Sequence, residues 1–409
     1  MTNLSQKLTE AFELVIKKNY GNTIAPPAYT VPFGIRPLDV FLGGGLSSSL
    51  PVVFSSTPET GKSTIAFQFA GEFLRSNQNS VVAYIDVETA CNNEASENNF
   101  IEDRISTMGI DLERFNYIPV IADIPTVFGM MRDFINVKKQ FEEKVGEEMR
   151  LCIIWDSMAA TPSSKDHIAE DPSEILGFKA REFSLHLSKI KPLLAINRVF
   201  LICIDQVRSN IKVDRYTRSE RSVGEFGNYK AATSVTSLLH NVKQWLFFSR
   251  SESLTIDHPY RVDGWILNCY TEKNKIAPSN FWISLVFDKR YGVDKIMTEY
   301  HFIKELTPTE RKYYKSKTPP FELPVKTKGS YKYIEVNYNG SILRSKNFHE
   351  SDIKDLYNND PEFMKLFDMA VDESIRLRIK QGYFKSMISS SIRREDDILD
   401  DTIDEGDEL

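Results

Sequence analysis

The chain is expected to fold as an α/β protein around a mostly parallel central sheet. Three observations carry that expectation. Strand-length apolar runs alternate with helical patterns through the first half. The runs are apolar throughout, as strands covered on both faces are. One strand-to-helix junction carries a Gly-Lys-Ser turn at residues 61–63.

Residues 4–19 read as an amphipathic helix, with Leu4, Leu8, Phe12, Val15 and Ile16 on one stripe. Gly21 ends it, and a linker with Pro26, Pro27 and Pro32 follows. Such a helix cannot bury its stripe alone, so it packs either on the body or on a neighbouring copy. Strands are expected at 52–54, 80–86, 117–121, 151–155, 199–204, 243–248, 265–270 and 281–287, with helices at 62–75, 126–145 and 174–195. The last three strands are closely spaced and read as an antiparallel extension of the sheet. Past Gly292 the pattern changes: 302–346 is rich in Lys and Tyr, and 351–387 reads as helical. The expected division is a helix and linker at 1–33, an α/β core at 34–294, a small α+β C-terminal domain at 295–390 and a disordered acidic tail at 391–409.

With 409 residues, the chain has ample length for a proper core. Apolar content of 41% and charged content of 26% are those of an ordinary soluble globular protein. The net charge of −6 is unevenly spread, because residues 395–409 hold nine carboxylates and no base. An acidic tail on a slightly basic body suggests a regulated nucleic-acid binder. Of the four cysteines, Cys91, Cys152, Cys203 and Cys269, no pair has metal-ligand spacing, and a reducing compartment is expected. The N-terminus lacks an apolar core, and no apolar run approaches membrane length, so neither a secretion signal nor a membrane span is expected.

Ser55 to Thr64 (SSTPETGKST) follows an apolar run and precedes a proline-free helical pattern. A turn in that place directs backbone N–H groups at a polyanion. Lys62 supplies a mobile positive charge, and the Ser63 hydroxyl suits Mg²⁺ beside phosphates. Ser56, Thr57, Pro58, Glu59, Thr60, Gly61, Lys62, Ser63 and Thr64 are therefore the candidate phosphate-binding residues. Ser56 stands where such motifs usually have their first glycine, which reduces backbone freedom there. A chance Gly-Lys-Ser at a helix start is the bland alternative.

MRLCIIWDS ends in Asp156, a carboxylate after an apolar strand, suited to the Mg²⁺ shell. VVAYIDVE places Asp86 and Glu88 two apart and so on one side of a strand end. Glu88 is the candidate to polarise water for attack on a γ-phosphate, and an exposed strand-end pair is the alternative. FLICIDQVR puts Gln206 at another strand tip, where a neutral amide can sense a γ-phosphate. After it, residues 207–230 interleave Arg208, Lys212, Arg215, Arg218, Arg221 and Lys230 with Tyr216, Phe226 and Tyr229. Cations that follow phosphates, with rings for stacking, suit single-stranded nucleic acid; a solvated insertion is the alternative. Lys273 and Lys275 lie two apart between later strands, and alone would be read as solvated.

These segments together resemble a RecA-type strand-exchange recombinase of bacterial or bacteriophage kind, over about residues 5–293. QKLTEAFELVIKKNYG is similar to that family's polymerisation helix, and FGIRPLDVFLGGGL to its approach to the P-loop. YIDVE, IIWDS, CIDQVRSN and EKNKIAP occur in the family's order. The resemblance implies a RecA-like P-loop ATPase core with ATP and Mg²⁺ as cofactors. Ser63 and Asp156 would serve the metal, and Glu88 would be the catalytic carboxylate. Gln206 would couple the nucleotide to a second DNA loop at 207–230, a first loop lying near 159–174. Lys273 and Lys275 would complete the active site of an adjacent subunit, and Arg181 would contact DNA. Implied partners are single-stranded DNA, homologous duplex DNA, further copies in a helical filament, and single-strand-binding and mediator proteins, in a bacterial cytosol or nucleoid or an infected host cell. Ala231 to Ser234 stand where the family closes its second loop with Gly-Gly, and Phe100 is a candidate for stacking on adenine. Two rival readings share the core: a hexameric helicase-like motor, and a DNA-binding mediator whose ATPase has decayed.

Overall fold

The computed structural model describes residues 4–20, 25–88, 100–166, 172–209, 229–231, 240–315, 317–338 and 340–381. The expected DNA-loop residues Lys212, Arg215, Arg218, Arg221 and Phe226 lie outside the described residues, as does the acidic tail.

Helix α1 spans Leu4–Tyr20, and its Leu8, Phe12 and Val15 are exposed. A short pair, β1 (Thr30–Val31) and β2 (Leu46–Ser47), brackets α2 (Arg36–Leu42). Asp39 of α2 anchors this approach segment by accepting the N–H groups of Phe33 (2.6 Å) and Ile35 (3.0 Å). The core then runs β3 (Val52–Ser56), α3 (Lys62–Ser76), β4 (Ser80–Asp86), α4 (Phe100–Thr107), β5 (Phe115–Pro119), α5 (Ile124–Val145), β6 (Arg150–Asp156), α6 (Pro172–Ile196) and β7 (Phe200–Ser209). Four more strands follow: β8 (Tyr229–Ala231), β9 (Gln244–Leu254), β10 (Gly264–Asn274) and β11 (Trp282–Asp288), with a short β12 (Gly292–Val293) closing the series.

The strand order is β12-β11-β10-β9-β3-β7-β6-β4-β5, with β8 paired to β7. Every pair from β9 to β5 is parallel. The pairs β9–β10, β10–β11 and β11–β12 are antiparallel. The chain is thus α/β with a large, mostly parallel mixed sheet, as the apolar runs predict. The physical basis is the burial pattern: Val52, Val53 and Phe54 of β3, and Cys152 to Trp155 of β6, are all fully buried, so successive side chains enter the cores on opposite faces. Cys203 and Cys269 are buried free thiols, used as small apolar residues.

The C-terminal elements are α7 (Lys295–Lys304), α8 (Pro308–Tyr313), a three-stranded antiparallel sheet of β13 (Val325–Lys328), β14 (Tyr331–Tyr338) and β15 (Ser341–Arg344), then α9 (Ile353–Asn359) and α10 (Pro361–Lys380). They share one hydrophobic cluster with the front face of the main sheet, in which Ile334, Ile353 and Phe367 join Phe41, Phe281 and Tyr300. A buried ion pair joins two of these helices: Arg378 of α10 meets Glu310 of α8 at 3.0 Å, both almost wholly excluded from solvent. Among the described residues, no helix is long and apolar enough to cross a membrane.

Candidate active site

The parallel strands bring the expected residues to one edge of the sheet. β3 ends at Ser56, and the chain turns through residues 57–61 into α3. The turn is stapled locally, with Thr60 Oγ1 donating to the Thr57 carbonyl at 2.9 Å. Its one glycine is required, because Gly61 has φ +106° and a Cβ there would lie 2.5 Å from the Phe287 ring. Ser56 is the last residue of a regular strand and needs no such freedom. Its hydroxyl instead accepts from Lys62 Nζ at 3.0 Å, and the Thr57 carbonyl accepts from the same ammonium at 3.1 Å. The serine that departs from the motif is therefore a partner of the loop lysine. Burial pushes the Lys62 ammonium below its usual pKa, while nearby Asp156, Glu88 and Asp205 work against that fall.

The first α-helical hydrogen bond of α3 is Ile65 N–H to Gly61 O at 3.0 Å. The amides of Lys62, Ser63 and Thr64 thus stand at the free N-terminus of a fifteen-residue helix, a ready anion site. Ser63 Oγ donates to Asp156 Oδ2 at 2.6 Å, and Tyr84 OH donates to the same oxygen. Desolvation raises the Asp156 pKa, and these two hydrogen bonds oppose it. A hydroxyl and a carboxylate are the hard oxygen donors that suit Mg²⁺, which takes most of its ligands from water and phosphate. Among the described residues no group of three or more His, Cys, Asp or Glu side chains is placed to hold a metal ion by itself.

Glu88 sits beyond β4 and accepts from two neighbouring strand tips through one oxygen. Ser157 Oγ donates to Glu88 Oε1 at 2.6 Å and Gln206 Nε2 at 3.0 Å. Asp86, its neighbour two residues back, accepts from Tyr117 OH at 2.6 Å instead. Glu88, Asp156, Gln206 and the loop residues Pro58, Glu59 and Gly61 to Thr64 line one pocket of about 500 Å³.

That pocket has two ends set by strand order. Gln206, Asp156 and Glu88 belong to β7, β6 and the end of β4, all on one side of β3. The other end is lined by Trp265, Phe287, Lys289 and Arg104. Trp265 and Phe287 stack with centroids 4.8 Å apart, and the Arg250 guanidinium lies 3.7 Å over the Trp265 ring. Arg104 bonds the Thr64 hydroxyl and, at 3.4 Å, the Lys289 carbonyl.

Lys273 and Lys275 are not in this pocket. Lys273 is level with Trp245, which is level with Val53, near the entry of β3, whereas the turn into α3 leaves its exit. Lys275 donates its N–H to the Lys243 carbonyl at the same far edge. Trp265, on the same strand as Lys273, lines the pocket some eight residues earlier, about 26 Å away at strand rise. The feet of the basic loop form a ribbon, with Val207 opposite Ala231, Arg208 opposite Lys230 and Ser209 opposite Tyr229. This stem begins one residue past Gln206. Arg181 is exposed on α6, where Lys179 ties the helix to the Ala159 carbonyl at 2.9 Å.

Tyr84, Ser157, Arg104, Trp265 and Phe287 escaped the sequence reading. Alternation along YID signals Tyr84, which shares a face with Asp86. Phe287 closes an apolar strand and is indistinguishable there from core. No protein-family model matches the chain, and no curated protein matches it.

Proposed function

We propose that the protein is an ATP-dependent DNA strand-exchange recombinase of the RecA type, which assembles as a helical filament on single-stranded DNA and pairs it with homologous duplex. The observation that carries this reading is the Gln206–Glu88 hydrogen bond at the foot of the basic loop. It joins the residue suited to activate water with the strand that continues into the segment suited to grip DNA.

In this reading the amides of residues 62–64 and the Lys62 ammonium hold the polyphosphate. Mg²⁺, when bound through Ser63 and Asp156, neutralises charge on the phosphate oxygens. Glu88 orients the attacking water and takes its proton. Gln206 exchanges its Glu88 partner for the terminal phosphate, and that exchange moves the ribbon at 207–209. Nucleotide state and DNA affinity are thereby linked, and each alters the other by the same factor.

Filament assembly is supported by uncovered apolar surface. Leu8, Phe12 and Val15 of α1 are exposed. β5 is the edge strand, beside a groove of about 810 Å³ lined by Leu112, Phe115, Phe134, Val137 and Phe141. Apolar area of this kind favours contact with another copy. Lys273 and Lys275, at the sheet edge opposite the phosphate turn, would serve a neighbour's nucleotide.

The test is ATP hydrolysis with and without single-stranded DNA, paired with negative-stain microscopy of the same samples. Stimulated hydrolysis with open helical filaments is the expected result. Closed hexamers without filaments would replace this reading with a ring motor, and DNA binding without stimulated hydrolysis would replace it with a mediator.

A further inference from the structure

Arg104 occupies a place that the chemistry described so far does not use. It projects from α4 to the start of α3, where its guanidinium bonds the Thr64 hydroxyl and the Lys289 carbonyl. Those two contacts tie it to α3 and to the chain just past β11. Its buried Nε finds no acceptor among the described residues. Thr64 is the third residue of α3, and its amide is the last of the donors before the helical bonds begin with Ile65.

Strand order fixes which part of a bound polyphosphate meets this arginine. The groups suited to the terminal phosphate and the metal, Glu88, Gln206 and Asp156, stand on the β7–β6–β4 side. Lys62 lies at the middle, over Ser56 and Thr57. Arg104 stands at the other end with Phe287 and Lys289. A chain of phosphates laid from Glu88 past Lys62 reaches Thr64 and Arg104 last.

We infer that Arg104 is a second cation for the bound nucleotide, gripping the α-phosphate beside Thr64 and leaving the γ-phosphate to Lys62 and Gln206. This rests on the nucleotide reading above. Arginine suits the task because its planar fork keeps donors for an anion while others stay on protein acceptors. One consequence is that the diphosphate product gains as much from Arg104 as the triphosphate does. Arg104 therefore sets how tightly product is retained without contributing to discrimination between the two.

The test is calorimetric titration of the full chain, in Mg²⁺, with ATP, ADP and inorganic tripolyphosphate, for wild type and the R104A, R104Q and R104K variants. A lost charge-assisted contact weakens all three ligands by about tenfold or more in R104A and R104Q. R104K keeps the charge but not the fork and restores only part of the loss, and the ATP-to-ADP affinity ratio stays unchanged throughout. A loss confined to ATP would move Arg104 to the γ-phosphate. A loss for ATP and ADP with tripolyphosphate unaffected would assign it to the base. Unchanged affinities in a folded R104Q would remove it from binding altogether. Should R104A fail to fold, the contrast between R104Q and R104K decides. A wild type that binds none of the three ligands would instead defeat the nucleotide reading itself.

Discussion

Gln206 Nε2 donates to Glu88 Oε1 at 3.0 Å, across the tips of two strands that β6 separates in the sheet. The same oxygen also accepts from Ser157, one residue past that intervening strand, so β4, β6 and β7 all contribute to the surroundings of one carboxylate. The convergence places a single carboxylate in the pocket lined by the turn before α3.

Replacing Glu88 by Gln keeps the size and the ability to bond Ser157 but removes the base. ATP affinity and assembly should be intact while turnover falls by orders of magnitude. Single-turnover hydrolysis alongside nucleotide binding checks it, and persistent turnover would reject Glu88 as the base.

Gln206→Ala should uncouple the two halves of the site. Hydrolysis without DNA should hold near the wild-type rate, while stimulation by single-stranded DNA disappears. The ratio of rates with and without DNA is the readout, and a ratio equal to wild type would sever Gln206 from the coupling.

The K273A/K275A double variant tests the far edge of the sheet. Nucleotide affinity of the isolated chain should be spared, because neither lysine lines its pocket. Cooperative hydrolysis should be lost, so the dependence of specific activity on protein concentration distinguishes the outcomes. Unchanged cooperative hydrolysis would reject a shared site.

The Arg378–Glu310 pair is predicted to hold the C-terminal helices to one another. Arg378 also donates to the carbonyls of Phe302 (3.1 Å) and Glu305 (3.0 Å). Removing the guanidinium alone, as in Arg378→Leu, leaves Glu310 buried beside an empty partner and should cost about 3–5 kcal/mol. A second change, Glu310→Gln, should recover part of that loss in urea unfolding. Additive losses in the double variant would contradict the pairing.

His301 gives stability a pH dependence. Burial, reinforced by Lys304 and Arg311 and by His258, pushes its pKa down to about 4, against the pull of Glu350. The ring also shares a 3.0 Å hydrogen bond with Tyr260 OH. As pH falls below about 6.5 the unfolded ring takes a proton that the folded ring refuses until about 4. The contribution is therefore full above the unfolded pKa and is lost downward through that window. Relative to His301→Gln, wild type should lose about 2 kcal/mol between pH 7.5 and pH 5. Equal losses in both proteins would exclude His301 as the source.

Much of the site was legible locally. Each of Lys62, Ser63, Asp156, Glu88 and Gln206 follows an apolar strand run, and parallel strands deliver their C-terminal ends to one edge. Ser56 was legible as a departure, but its partnership with Lys62 depends on how the loop closes. Arg104 was not legible, because its place depends on a hydroxyl on another helix and on a carbonyl nearly two hundred residues later.

The amino-acid order alone determined the alternation of elements, the burial of both sheet faces and the Gly-Lys-Ser turn between β3 and α3, because these follow from local periodicity and from backbone chemistry at a helix start. Only the tertiary structure decided that Glu88 is shared by Ser157 and Gln206, that Lys273 lies at the opposite edge from the turn, and that Arg104 meets Thr64. Those relations depend on strand order and register, which arise from packing between segments remote in the chain.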